Sequence, residues 1–459
     1  RIWSQRTITP VGRVAVLKSL VLSKLIHLWI LLPDPPDTFI KKLQEMCFQF
    51  VWNGKQDRIS RKVTTKTVKH GGLNIPDIRK YIYALKLSWI RKVKTTNHKW
   101  KCIVMKMYPF FENLECYGPT FMSEVIRNVN PFWTHAWKAY QYFWSCVVPK
   151  DVNELLSEPV FYNKKITINN VIIKGKKLLE KGKYCIKHFV NRNGEFLTYD
   201  EFIADLDCCI DFVSFHGLIS SIKQFVRKSG INIQDCGSYN NEMPAALRII
   251  CSVNKGAKMY YELLSQDNVK PNCCSKWSKK FHLNIPWEKV FLKIHKIKDV
   301  KLKWLQLRIV HRIIATNVVL NAMGVTNTTL CMWCKDARDS IEHFLWDCEY
   351  VKHIWTSLEK MFNEKCENVF NISITRNIVI FGVDEYLKTD AIFDFIIMLA
   401  KLYIYRCKIE TNVPDISAFL RLLNTRFKIE LYNAQISEND LSKFNIKWNR
   451  YKPMFFIAT

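Results

Sequence analysis

Asp299-Val300-Lys301-Leu302-Lys303-Trp304-Leu305-Gln306-Leu307-Arg308-Ile309-Val310-His311-Arg312-Ile313 has the pattern of a capped, one-sided helix, and that pattern recurs along the chain. Its apolar residues Leu302, Leu305, Ile309 and Ile313 return every three or four positions, the repeat of one helix face, and Asp299 stands where a carboxylate caps a first turn. Strand-like alternation is absent. The same period marks Val14, Leu17, Val21, Leu25 and Leu28, stopped by Pro33-Asp34-Pro35-Pro36. It returns in Phe39, Leu43, Met46 and Phe50, behind Asp37 as a cap, and in Ile78, Tyr81, Leu85 and Trp89, after a loop marked by Gly71-Gly72 and Pro76-Asp77. Trp133, Trp137 and Trp144 share a further helix. Toward the C-terminus, residues 377–381 read as a short strand and residues 392–403 as an apolar core helix interrupted by Asp394 and Lys401. The expected architecture is mainly α and multi-domain, divided as 1–100, 101–270, 271–360 and 361–459, without the ~20–50-residue repeat of a solenoid.

Composition bounds the function. With 459 residues, 48% of them hydrophobic, the chain has enough apolar side chains for packed cores. Its 69 Lys and Arg against 41 Asp and Glu leave a net charge of +28, which attracts polyanions whatever the fold, so nucleic acid is the expected partner. No signal peptide opens the sequence, so the sixteen cysteines read as mostly reduced, buried thiols of an intracellular protein, nuclear and cytoplasmic. The apolar run at residues 14–32 contains Lys18, Lys24 and His27, and a charge at the centre of a membrane span costs ~3 kcal/mol. A buried amphipathic helix is expected there, with no membrane partner. A start at Arg1 inside a charged segment is expected of a piece of a longer protein.

Just beyond the helix that Asp299 caps come Cys331-Met332-Trp333-Cys334, then His343 and Cys348, in the spacing C-x2-C-x8-H-x4-C. Three thiolates and an imidazole suit Zn2+, and four protein ligands close its shell, so the ion would be structural, with no bound nucleophilic water. Two other readings exist. The four residues could be ordinary core side chains close in sequence, or a deaminase site; the deaminase order H-x-E then P-C-x-x-C is reversed here, with Glu342 preceding the histidine. Asp339 or Ser340 can cap a helix carrying His343, and Lys335 and Arg338 can offset the site's net negative charge. Five residues on an ideal helix turn about 140°, so between His343 and Cys348 the helix must start late, loosen or end early.

Positive charge gathers in three runs. Residues 61–101 hold twelve Lys or Arg against Asp77, residues 164–192 nine against Glu180, and residues 276–312 eleven against Glu288 and Asp299. The third also holds Trp277, Trp287 and Trp304. Such runs neutralise phosphates, and an accessible aromatic stacks on an unpaired base, although tryptophans are more often core and any single run can be plain solvated surface. Lys174, Lys176, Lys177, Lys279, Lys280, Arg308 and Arg312 are the expected contacts to the phosphate backbone of RNA or DNA. No catalytic residue is assigned. No Asp-Asp pair exists to hold polymerase metals, Asp205-Leu206-Asp207-Cys208 reads as a surface helix or loop, and phosphate-loop, G-x-S-x-G and H-E-x-x-H patterns are missing. His135 and His216 read as structural.

Further blocks are Thr9-Pro10-Val11-Gly12-Arg13 with residues 17–25, Phe50-Val51-Trp52-Asn53-Gly54-Lys55, Gly71-Gly72-Leu73 with residues 84–89, and Gly194-Glu195-Phe196-Leu197 with Tyr199-Asp200-Glu201-Phe202. Together with residues 308–317 and the Cys331 to Cys348 motif, they resemble the polymerase proteins of non-LTR retrotransposons of the long interspersed element class. The ordered set covers most of residues 1–360. The block Glu158-Pro159-Val160-Phe161-Tyr162-Asn163 departs from the family, which often has a Trp near its aromatic position. The resemblance implies a thumb-like helical domain, a basic helical connector, a zinc-binding module and a helical tail. It also implies that the endonuclease and the finger and palm subdomains, with their Mg2+, lie upstream in the same polyprotein. The implied role is non-catalytic: gripping template RNA and target DNA during target-primed reverse transcription. The alternative is a stand-alone zinc-containing nucleic-acid-binding or assembly protein derived from such an element.

Overall fold

The helix expected behind Asp299 forms over Val300–Val310, with the Asp299 carboxylate accepting from the backbone N–H groups of Lys301 (2.7 Å) and Leu302 (3.2 Å). Leu302, Leu305 and Ile309 are buried as expected; Ile313 lies past the helix end, where Arg312 adopts positive φ (59°). The computed structural model describes residues 2–125, 130–204, 210–233, 243–254, 256–266, 269–281, 284–366, 373–383 and 389–455. The residues 205–208 noted above lie outside them. The fold is mainly α, and among the described residues the only named strands are Thr167–Ile168 and Val171–Ile172, an antiparallel hairpin turned by Asn169 and Asn170 at positive φ.

The chain divides into two compact units, residues 1–17 with 46–75 and 268–459, and residues 18–45 with 76–267, a division that cuts across the four spans read in chain order. In the first unit Trp277 is fully buried, its Nε1 donating to Val310 O (2.7 Å) while Phe281 stacks on its ring. The Ala391–Ile409 helix is core, as its apolar run implied. Lys401, buried within it, donates to Gln306 Oε1 (2.6 Å), and Gln306 in turn donates to Ile380 O (2.8 Å). Residues 377–381 are helical, not a strand. Thr375 caps the Arg376–Phe381 helix and Gly382 ends it at positive φ, while burial on all sides makes Ile378-Val379-Ile380-Phe381 apolar without any alternation.

The second unit is built around the Ile78–Thr95 helix, capped by Asp77 and packed against the Pro131–Cys146, Lys258–Leu264, Ala245–Ser252 and Ser23–Leu31 helices. Trp133, Trp137 and Trp144 are buried there, within the core that includes Leu87, Ile90, Phe111 and Tyr140. A neighbouring core gathers Phe161, Phe189, Phe202 and Phe215. In it the departing block has a plain structural job, because Glu158, buried, accepts from Trp144 Nε1 (2.7 Å) and Asn163 Nδ2 (3.2 Å).

Two helix faces differ from the sequence reading. Residues 10–31 form one continuous helix, long and apolar enough by length and composition to cross a membrane, yet only 22% of its most apolar window is buried. The expected stripe Val14, Leu17, Val21, Leu25, Leu28 holds for its first two members; beyond them the buried residues are Leu22 and Trp29, Leu25 is half-buried, and Val21 and Leu28 are exposed. The cause is a π-helical stretch, Leu17–Leu22, whose wider turn inserts one residue and moves the buried register by one. In Asp37–Trp52 the period is right and the face is wrong: Ile40, Cys47 and Val51 are buried, whereas Phe39 and Met46 are exposed. Asp37 lies in the first turn rather than at the cap, and its carboxylate pairs with Arg79 (2.5 Å).

Candidate metal centre and basic faces

The loop before the metal motif is a tight knuckle. Leu330 and Arg338 pair as an isolated bridge, Cys331 N donates to Ala337 O (2.8 Å), and Lys335 closes the turn at φ 55° with its N–H on Cys331 O (3.0 Å). This turn carries Cys331 and Cys334 to one side of the loop. His343 comes from a helical segment started by Ser340, whose hydroxyl accepts from His343 N (3.2 Å); of the two caps expected, Ser340 serves and Asp339 does not. From His343 to Asp347 the backbone is π-helical, and Cys348 N donates to His343 O (2.9 Å). That wider turn brings a ligand five residues on back to the same side. Cys348 then stands at the N-terminal boundary of the Glu349–Lys365 helix, in extended backbone and without a side-chain cap bond.

The four ligand atoms lie within 4.8 Å of one another, with Cys331 Sγ 3.9 Å from Cys348 Sγ and Cys334 Sγ 3.4 Å from His343 Nε2. A tetrahedral ion bound at ~2.3 Å by sulfur requires S···S edges of about 3.8 Å, so these side chains can hold a metal ion such as zinc. Cys331 and Cys348 are buried, and Cys334 and His343 half-buried. The Cys331 thiol is driven down, to about 4, by its contact with Cys348 and, against burial, by the backbone N–H groups of Cys334 and Trp333. The same contact pushes the Cys348 thiol up, so the two sulfurs share a proton between them.

Side chains from distant parts of the chain hold the knuckle. Asp339, buried, accepts from Asn317 N (2.5 Å) and forms an ion pair with Lys408, itself buried and lying over the Phe344 ring. Trp333 stacks on Phe344 and donates to Asn412 O (2.9 Å). Glu342 gathers Lys280 (2.8 Å) and Arg312 (3.1 Å). Burial opposes its charge, but the Lys280 hydrogen bond, with help from its own backbone N–H, Ser340 and Arg312, pulls the carboxyl down to about 2. Nothing in the local sequence announced Lys408 or Asn412, because they lie 69 and 79 residues from their partners.

The seven expected phosphate contacts divide. Lys174, Lys176, Lys177 and Lys279 are exposed, Lys174 with Glu124 at 3.3 Å. Lys280 and Arg312 are held by Glu342, and Arg312 also lies over the Trp277 ring (4.2 Å). Arg308 donates to Tyr405 Oη (3.0 Å) and lies over that ring (4.6 Å). These last three guanidinium and ammonium groups are engaged within the fold. Trp277 is core, while Trp287 and Trp304 are half-buried. His135 has a structural role, its Nδ1 accepting from Asp34 N (2.8 Å).

No protein-family model matches the chain.

Proposed function

We propose that this chain is the non-catalytic, nucleic-acid-gripping C-terminal segment of a non-LTR retrotransposon reverse transcriptase, with a structural zinc ion in the Cys331, Cys334, His343, Cys348 cluster. The observation that carries the reading is that cluster: the spacing that resembles the family's zinc motif closes to ligand distances only through a π-turn. Four protein ligands leave no open position, so the ion would brace the knuckle rather than activate water. Charge supplies the grip: a +28 chain with exposed lysines on both units attracts phosphate backbones without reading sequence.

Other resembling blocks have structural work that suits a scaffold. Thr9 caps the Pro10–Val16 helix, and the buried Arg13 guanidinium donates to the carbonyls of Arg6 (3.1 Å), Ile8 (3.2 Å) and Phe50 (3.2 Å). Gly71 sits at φ 80° beside Phe291, and a Cβ on Gly72 would meet Lys66 O at 2.0 Å. The test is to read the coding sequence upstream of Arg1. An in-frame palm with an Asp-Asp pair is expected; its absence would favour a stand-alone nucleic-acid-binding protein. Nucleotide incorporation by this chain alone with Mg2+ is expected to be nil.

A further inference from the structure

The second unit carries a groove that none of the expected contacts lines. Two lobes of about 350 and about 420 Å³ share Tyr83, Lys138 and Tyr142 and so form one depression. Lys164 lines one lobe, and Arg79 and Lys80 the other. Lys138 and Lys164 are exposed, and Tyr142 keeps 39% of its surface open. Tyr83 lies beside it, ring centroids 5.4 Å apart and planes tilted by 50°.

Asp37 and Asp77 line the second lobe, and each has a partner. Asp37 is bound by Arg79 (2.5 Å), and Asp77 caps the Ile78–Thr95 helix by accepting from Lys80 N (3.1 Å). Glu158, behind Trp144 and Asn163, is fully buried among its donors. Asp34 is buried against Lys86 (3.8 Å). The lining thus mixes the exposed cations Lys138 and Lys164 and the Tyr142 ring with the paired Asp37 and Asp77 of one lobe and the polar Gln141 and Ser145 of the other. Cations bind phosphates and a ring face stacks on a base, but only on a base that is not already paired. Each lobe has the size of a small-ligand site, not of a duplex channel.

We propose that this groove binds unpaired nucleotides of a polynucleotide strand, phosphates on Lys138 and Lys164 and a base on Tyr142. The proposal rests on the nucleic-acid-binding reading above and narrows it to one site and one strand form. Phosphates and base faces are common to RNA and DNA, so single strands of both share the required chemistry.

The test uses the full chain and fluorescently labelled oligouridylate and oligothymidylate of about 12 nucleotides, beside duplexes of equal length. Tyr142→Ala is expected to weaken single-strand binding on the order of tenfold, with Tyr142→Phe near wild type and duplex binding little changed. Lys138→Ala with Lys164→Ala is expected to flatten the single-strand salt slope by roughly 0.7 per lysine. An oligomer carrying 5-iodouridine should photo-cross-link the wild-type chain at Tyr142 or Tyr83, a readout that needs no variant to fold. A loss confined to one strand type supports the site and names its strand. Wild-type binding that survives both variants, with cross-links elsewhere, overturns the groove and leaves the wider reading intact. Equal losses on duplex and single strand overturn the stacking role. Failure of the wild-type chain to bind any of the four probes removes the wider reading itself.

Discussion

The backbone N–H of Cys348 donates to the carbonyl of His343 at 2.9 Å, five residues back, where an α-helix would place the bond at four. On an ideal helix the two side chains would diverge by about 140°. The π-turn removes that divergence, and Cys348 leaves the helical path at ψ 130° just as its sulfur reaches the other ligands. The four side chains converge because the helix is defective there.

Removing a ligand should therefore unload the site. Wild-type chain is expected to carry about one zinc per molecule by elemental analysis, and Cys334→Ser or His343→Ala close to none, with a lower melting temperature that added zinc does not restore. Retained stoichiometric zinc in either variant would mean that the ligand set is wrong.

The knuckle also depends on Lys408. Taking away one member of a buried ion pair leaves the other uncompensated, so Lys408→Met should destabilise the protein by about 3 kcal/mol and weaken zinc retention. Adding Asp339→Asn should recover part of that loss, because the stranded charge is gone. Denaturant unfolding of both single variants and the double gives the coupling, and strict additivity would show that the two side chains do not act as a pair.

These residues show how far sequence reading reaches. Period, caps and ligand spacing are local, so the Val300–Val310 and Ile78–Thr95 helices, the Asp299 cap and the four-residue cluster were all legible, whereas Asp77 read only as part of a loop. Which side of an amphipathic helix is buried is not local. Asp37–Trp52 carries two apolar stripes one residue apart, and packing chose Ile40, Cys47 and Val51 over Phe39 and Met46. A π-turn has no composition signature, so the register change after Leu17 was invisible, although the geometric need for a loosened turn before Cys348 was not. Arg308 and Arg312 counted as charge in a basic run; their partners Tyr405 and Glu342 come from other segments.

Acid should weaken the fold before the carboxylates protonate. Burial pushes His311, bonded to Gly71 O (2.8 Å), down to about 4, and burial with Lys187 and Lys183 does the same to His188. An unfolded histidine titrates near 6.5, so between about 6.5 and about 4 the unfolded chain takes up protons that the folded chain refuses. The histidine contribution to stability is complete above about 6.5 and is lost as pH falls to about 4. Melting temperatures measured across that window should decline, and less steeply in His311→Gln; an unchanged slope in that variant would place the histidine outside the effect.

The exposed Lys174, Lys176 and Lys177 should contribute to binding as charge alone. Replacing Lys174, Lys176 and Lys177 together with Ala should weaken RNA and DNA binding about equally across sequences and reduce the salt slope by about 2 to 3. Unchanged binding would remove this patch from the interface while leaving Lys138 and Lys164 to be judged separately.

The most direct measurement is RNA affinity of the zinc-loaded chain as salt rises from about 50 to about 200 mM. A polycationic grip predicts tight binding at the low end and a linear log–log decline of several powers, the same for unrelated sequences. Absence of binding at the lowest salt, or affinity that does not change with salt, would contradict it.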